Sequence, residues 1–368
     1  MRFVALEQIG DGIALARNLP SDRADGAPLL RAGMTLTDQL ASRLAAAGFT
    51  GVWVDDELSA EITPAPEFPV DVIGMALHAA AGAIDAAPSA LGAGRELDPR
   101  IVRKLHDAAA DIADAVLEYP ADQSPISDLP VATATAPWHA VRVALLGTFI
   151  GRRVLEQGGW LDYQGVKRFD SLDERLSTLA LGLLVHDIGV PAPATRQDAT
   201  GVCMTAEVDQ PVAHVTVGTA LFPAESTPAG MRVVIHGHHE RWDGLGYPER
   251  KHRDAIALNA RVAAVADAYD ALTATGEGRL PLSTSAALRQ IEVGAGSRFD
   301  PALAKQLLAL IPPHPVGHEL ILPDGRHAVV AALARGGRLA PTARLRSELG
   351  SIVELVANMA LPGSSAAA

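Results

Sequence analysis

The feature that most narrows what this chain can fold into is the stretch His238-His239-Glu240-Arg241-Trp242-Asp243-Gly244-Leu245-Gly246-Tyr247-Pro248. Two adjacent histidines beside a carboxylate are costly to bury without partners, so such a group binds a metal or lies at a surface. They close an apolar run, Met231 to Ile235, that reads as a helix with Thr227 as N-cap and Pro228 at its first position. Gly244, Gly246 and Pro248 cannot continue that helix and impose a tight loop. Tyr247, an aromatic hydroxyl on a rigid loop directly after a His pair, reads as part of a ligand-facing lip.

A second helix ends in similar chemistry. Ser171 and Glu174 have the spacing of a capping box, and Leu172, Leu176, Leu179 and Leu183 line one face. Gly189 and Pro191 stop the helix, which leaves His186 and Asp187 on its last turn. A helix opening at Pro137-Trp138 carries His139 on the stripe of Val143, Leu146 and Ile150. By itself such a histidine is either a hydrogen-bonded core residue or a ligand. His214 lies on a further helical segment, four residues before Gly218, and a helix from about Asn259 to Ala274 carries Asp267 and Asp270. Another His-Asp dipeptide, His106-Asp107, sits in a charged, alanine-rich segment without a glycine stop and reads as a solvated helix face.

Composition sets the fold class. Apolar residues are 48% of the 368 positions and aromatics only 4%, so the core is built from Ala, Leu and Val, which favours a mainly α fold. The net charge of −12 argues against binding a nucleic acid polymer or an anionic membrane through a basic face. It leaves room for a phosphorylated substrate, because bound metals supply local positive charge. Cys203 is the single cysteine, so neither an intramolecular disulfide nor a multi-cysteine zinc site is expected. Met1 to Glu7 lacks a long apolar core, and no run approaches the roughly 18 apolar residues of a membrane span, so a cytoplasmic protein is expected.

The organisation follows from punctuation. Residues 1–62 mix β-like runs, such as Phe49 to Val54, with one helix from Thr37 to Ala47, as a small α+β domain would. A proline-rich linker spans 63–69, and helices fill 70–311, with breaks expected at Ala87-Pro88 and around Gly92 to Pro99. From 312 to 360 a β-hairpin over Leu320 to Leu333 and an apolar run after Gly350 suggest a small β-rich region. Residues 361–368 read as a disordered tail.

An HD dipeptide, a later HHE and a Gly-Tyr-Pro loop, in this order, resemble the HD-GYP family of metal-dependent cyclic di-GMP phosphodiesterases within the HD superfamily. The resemblance is strong over 137–311. It implies an HD-type helical bundle and carries the family's metal ligands onto His139, His186, Asp187, His214, His238, His239 and Asp267. His186 and Asp187 then stand at the catalytic centre, and Tyr247, Gly246, Pro248 and Arg279 are the substrate-binding candidates. Five histidines with two carboxylates suit two divalent ions bridged by Asp187, Fe or Mn first and Zn next. The implied reaction is hydrolysis of cyclic di-GMP to linear pGpG by a hydroxide activated between the two metals. The resemblance also implies docking of a GGDEF-domain cyclase through the Gly-Tyr-Pro loop, and leaves a homo-oligomer open.

Three positions depart from the family pattern. Thr135 stands where some members carry a Glu for a third metal. Val190 stands where a lysine usually engages substrate phosphate, and Gly276 replaces the first of two basic residues of which Arg279 keeps the second. The metal cage is complete and the phosphate clamp depleted, which implies slow turnover. The other readings are a binding-only cyclic di-GMP sensor, a GGDEF-interacting module, and an HD phosphohydrolase of another nucleotide.

Overall fold

The punctuated apolar runs form helices, and these set the architecture of the computed structural model. It describes the chain apart from residues 11, 130–134, 162–165, 191–209, 224, 226, 275–279, 323–324, 334–341, 346–351 and 355–368. Arg279, Gly276 and the tail at 361–368 lie outside the described residues.

The first part of the chain pairs β1 (Arg2–Ala5) antiparallel with β2 (Gly51–Val54) around α1 (Asp38–Ala46), whose N-cap Thr37 accepts a hydrogen bond from Leu40 N. Val4, Leu15, Leu19, Leu36, Leu44 and Val52 form its own apolar core. The helical bundle follows: α2 (Val70–Gly92), α3 (Pro99–Glu118), α4 (Ala136–Gly158), then a short antiparallel pair, β3 (Trp160–Leu161) with β4 (Lys167–Arg168). It continues with α5 (Leu172–Leu184), α6 (Gln210–Ala220), α7 (Ala229–Gly237), α8 (Leu258–Thr273), α9 (Thr284–Gly294) and α10 (Pro301–Leu310). The last part is an antiparallel sheet in the order β5 (Glu319–Ile321), β6 (His327–Ala332), β7 (Thr342–Leu345) and β8 (Ile352–Glu354). The mainly α fold expected from composition is the one observed.

α4 is the central helix. It packs on α5, α8, α2 and α3, and is buried on all sides from Ala140 to Gly151. Glycines on α4 let α5 approach: a Cβ at Gly147 would stand 2.5 Å from Leu183 Cδ1. α4, which carries His139, and α5 are therefore locked side by side. α5 ends at Leu184, so His186 and Asp187 lie in the turn just beyond it and not on its last turn as expected.

Three local expectations need correction. α2 runs unbroken through Pro88, because proline removes one hydrogen bond near the helix end where the flanking alanines still pack, Ala87 at 2% exposure and Ala90 at 9%. By length and composition α2 would also pass as a membrane span, yet Ile73, Leu77, Ala80 and Ala83 are buried within the bundle core. The capping box at Ser171 does not form: Ser171 has a left-handed backbone (φ 52°) and its side chain makes no cap bond. α7 starts one residue late, at Ala229, with Pro228 at the cap and the Thr227 hydroxyl donating to Pro223 O.

The outer parts are tied to the bundle at Asp128. Its carboxylate pairs with Arg17 (3.3 Å) and lies 3.5 Å from His318 Nε2, while its carbonyl accepts from Trp53 Nε1 (2.9 Å). His318 in turn stacks on Phe3, whose N–H donates to Gly317 O.

Candidate metal centre

Five of the seven candidate ligands sit at or near a helix end, and the bundle brings these together with two from within helices, His214 and Asp267. His139 is on the first turn of α4; His186 and Asp187 follow α5; His214 is on α6; His238 and His239 follow α7; Asp267 is on α8. The loop after His186-Asp187 is pressed against α6 so tightly that only glycine fits. A Cβ at Gly189 would lie 2.1 Å from His214 O and 2.8 Å from Gly218 N. That contact holds Asp187 and His214 in one place.

Asp187 is at the centre of the cluster. Its Oδ1 faces His238 Nε2 (3.2 Å) and His214 Nε2 (3.6 Å), and its Oδ2 faces His186 Nε2 (3.6 Å) and His139 Nε2 (3.8 Å). Two groups of side chains able to hold a cation share this one carboxylate: Asp187, His214, His238 and His239, and His139, His186 and Asp187. Asp267 joins the second, with Oδ1 3.3 Å from His139 Nε2 and 4.0 Å from His186 Nε2. All seven residues inferred from the sequence are thus within one site.

The hydrogen bonds behind the histidines fix their tautomers. His186 Nδ1 donates to Leu183 O (2.8 Å) and His238 Nδ1 donates to Val234 O (3.0 Å). His139 Nδ1 donates to Asp270 Oδ2 (2.7 Å). With the proton on Nδ1, each ring aims an Nε2 lone pair into the site, the arrangement seen where imidazoles bind metals. His139 Nε2 and His186 Nε2 face each other at 3.1 Å, a contact that two lone pairs cannot make without a proton or cation between them. His214 Nε2 and His239 Nε2 are buried and lack a hydrogen-bond partner. A donor set of imidazole and carboxylate with unsatisfied buried nitrogens fits divalent cations.

Electrostatics point the same way. Burial opposes ionisation of Asp187, but His186, His238 and His214 outweigh it and hold the carboxylate well below its usual range. For Asp267 burial is likewise outweighed, chiefly by His139, and its pKa is about 2. Burial depresses His214 to about 4 and His239 well below the imidazole range, so both stay neutral and available. His139 is the opposite case: burial is overcome by hydrogen bonds to Asp267 and Asp270, which raise it strongly.

The loop after α7 forms the lip. Tyr247 stacks on His239 (ring centroids 4.7 Å, 29° between planes), its N–H donates to His239 O, and the Tyr247-Pro248 bond that follows is cis. Gly246 is required there, since a Cβ would meet Arg241 N at 2.3 Å and His239 O at 2.5 Å. Gly246 and Pro248 thus shape the loop that seats Tyr247.

Two residues without an assigned role in the sequence reading matter here. Arg142 donates through Nε to Asp270 Oδ1 at 2.5 Å, deep in the bundle. It lies one helical turn after His139 on the same face, but nothing in the sequence points to its partner. Glu240, 4% exposed, accepts through Oε1 from Glu249 N (2.7 Å) and so closes the loop between them. Thr135 precedes α4 as an exposed cap residue, and its carbonyl accepts from His139 N.

Residues 164–303 match the HD domain family. The chain carries the His-Asp pair, the His-His-Glu run and the Gly-Tyr-Pro loop within that matched segment. It is similar to a cyclic di-GMP phosphodiesterase of Thermotoga maritima, 26% identical over 162 residues, or 43% of this chain and 44% of that protein. A probable cyclic di-GMP phosphodiesterase of Vibrio cholerae is 46% identical over 133 residues, 34% of this chain and 30% of the relative. A 3'3'-cGAMP-specific phosphodiesterase of the same organism is 26% identical over 234 residues, 58% of this chain and 47% of the relative. The chain spans less than half the length of each of these relatives.

Proposed function

We propose that the chain hydrolyses one phosphodiester bond of cyclic di-GMP to give linear pGpG, using two divalent cations. The observation that supports this reading best is Asp187, with each oxygen toward a different pair of histidines, as a carboxylate shared between two cations would be. His139, His186 and Asp267 would hold one ion and His214, His238 and His239 the other. Bound there, Fe(II) or Mn(II), with Zn(II) as the next choice, would supply Lewis acidity to the phosphoryl oxygens and acidify the attacking water.

The chain's own residues do the rest. Ionised Asp187 and Asp267 balance the cations' charge, and the Nδ1 hydrogen bonds of His139, His186 and His238 keep the rings from turning. Tyr247 covers His239 and shields that side of the site from water, and Gly246 and Pro248 shape the lip against which the substrate would lie. Arg279 would add a phosphate contact. Val190, whose N–H donates to Asp187 O, brings no cation to the edge of the site, which favours slow turnover.

The reading divides the chain into an accessory domain over 1–62, a linker at 63–69, the HD-GYP domain over 70–311 and a β-rich region over 312–360. It places the protein in the cytoplasm. Leu245, 76% exposed at the loop tip, would suit docking of a GGDEF-domain cyclase. A second reading, hydrolysis of another cyclic dinucleotide, draws on the cGAMP-specific relative. The deciding experiment follows the hydrolysis of cyclic di-GMP and 3'3'-cGAMP by chromatography, with Mn(II) or Fe(II) under anaerobic conditions. Linear pGpG as the faster product supports the first reading; faster loss of cGAMP supports the second. Tight binding without a product would instead make the protein a sensor.

A further inference from the structure

Directly beyond the lip the sequence runs Arg250-Lys251-His252-Arg253, a basic segment in a chain of net charge −12. All four residues are exposed. Lys251 is paired with Glu249, whereas Arg250 and Arg253 stand in left-handed backbone, φ 53° and 51°. Glycine enters that region freely and arginine does so at a steric cost. Non-glycine residues kept in such conformations cluster at binding sites, where the surrounding structure over-determines them.

The surroundings here do so. Glu240, next to His239, fixes the start of the segment through its bond to Glu249 N. Arg253 N donates to Trp242 O, and His252 packs where a Cβ on Gly244 would come within 3.2 Å of its own Cβ. Both ends are therefore pinned to the loop that seats Tyr247 on His239. A segment that needed only to turn would be built more stably with glycine at 250 and 253.

We infer that Arg250 and Arg253 form the phosphate-recognition edge of the site, binding the phosphodiester groups of a cyclic dinucleotide in place of the lysine absent at Val190. This rests on the function proposed above and names the residues that would grip its substrate. Glu240 is the positioning residue that presents them. Arginine suits the task, because its planar guanidinium meets two phosphate oxygens at once.

The test uses the full chain loaded with Mn(II) and a phosphorothioate analogue of cyclic di-GMP, with the dissociation constant, melting temperature and metal content measured together. Arg250→Gly with Arg253→Gly should relieve the backbone and raise the melting temperature by about 2–4 °C. The same variant should weaken binding by roughly tenfold or more, since each lost charge-assisted contact is worth about a factor of ten. Arg250→Asn with Arg253→Asn, which tolerates the left-handed backbone and removes the charge, should lose affinity equally with metal content unchanged. Wild-type affinity in either variant would overturn this inference alone. A wild-type protein that binds no cyclic dinucleotide would overturn the proposed function and this inference with it.

Discussion

Asp270 Oδ2 accepts a hydrogen bond from His139 Nδ1 at 2.7 Å, while its other oxygen accepts from Arg142 Nε at 2.5 Å. A carboxylate 3% exposed, on the helix that also carries Asp267, thus sets the orientation of the first histidine of the site. Burial opposes its ionisation, and Arg142 outweighs burial to hold its pKa below the usual value. Asp270→Asn should weaken Mn(II) affinity by about 10–100-fold, the usual effect of removing a partner behind a metal-binding histidine. It should also destabilise the fold by about 1–3 kcal/mol. Metal titration of the apoprotein and thermal melts check both.

Gly246 tests the lip. Gly246→Ala places a methyl against backbone atoms of Arg241 and His239, which cannot give way as a flexible side chain would. Displacing the loop should lift Tyr247 from His239 and cost about 1–3 kcal/mol. Activity should fall more than metal content; equal losses would mean that the loop serves only the fold.

Tyr247 itself separates stacking from hydroxyl chemistry. Tyr247→Phe keeps a ring over His239 and should retain metal content. Tyr247→Ala removes a contact worth about 0.5–1.5 kcal/mol and should raise KM several-fold. The two variants compared for metal content and KM decide the point.

Val190→Lys would return a cation beside Asp187, where Val190 N already donates to Asp187 O. A charge-assisted phosphate contact is worth about 1.5–3 kcal/mol, so kcat/KM for cyclic di-GMP should rise by about tenfold or more. Combined with Gly276→Arg the rise should be larger. A double variant that keeps its metals, folds and binds cyclic di-GMP yet yields no product would mark the protein as a sensor.

Part of the site was legible because four of its residues, His186, Asp187, His238 and His239, lie where a helix is visibly stopped. Gly189 ends the segment carrying His186 and Asp187, and Gly244 ends the one carrying His238 and His239. Features set by tertiary contacts were hidden. Ser171 has the composition of a capping box, but the chain enters α5 from the β3–β4 pair with a left-handed turn, so the cap is never made. Arg142 was silent because a lone arginine in an apolar helix gives no sign of its partner, which lies far along the chain on α8. α2 hid the opposite fact: Pro88 looks like a break, yet packing of its alanines carries the helix past it.

The most direct measurement for the two-cation centre is the metal content of anaerobically purified, active protein, counted beside that of Asp187→Asn. The expected result is two ions per chain in the wild type, with occupancy and turnover lost together in the variant, because the carboxylate between both groups of histidines has lost its charge. A count near one or near three at full activity, or an Asp187→Asn protein with two ions and normal turnover, would contradict it.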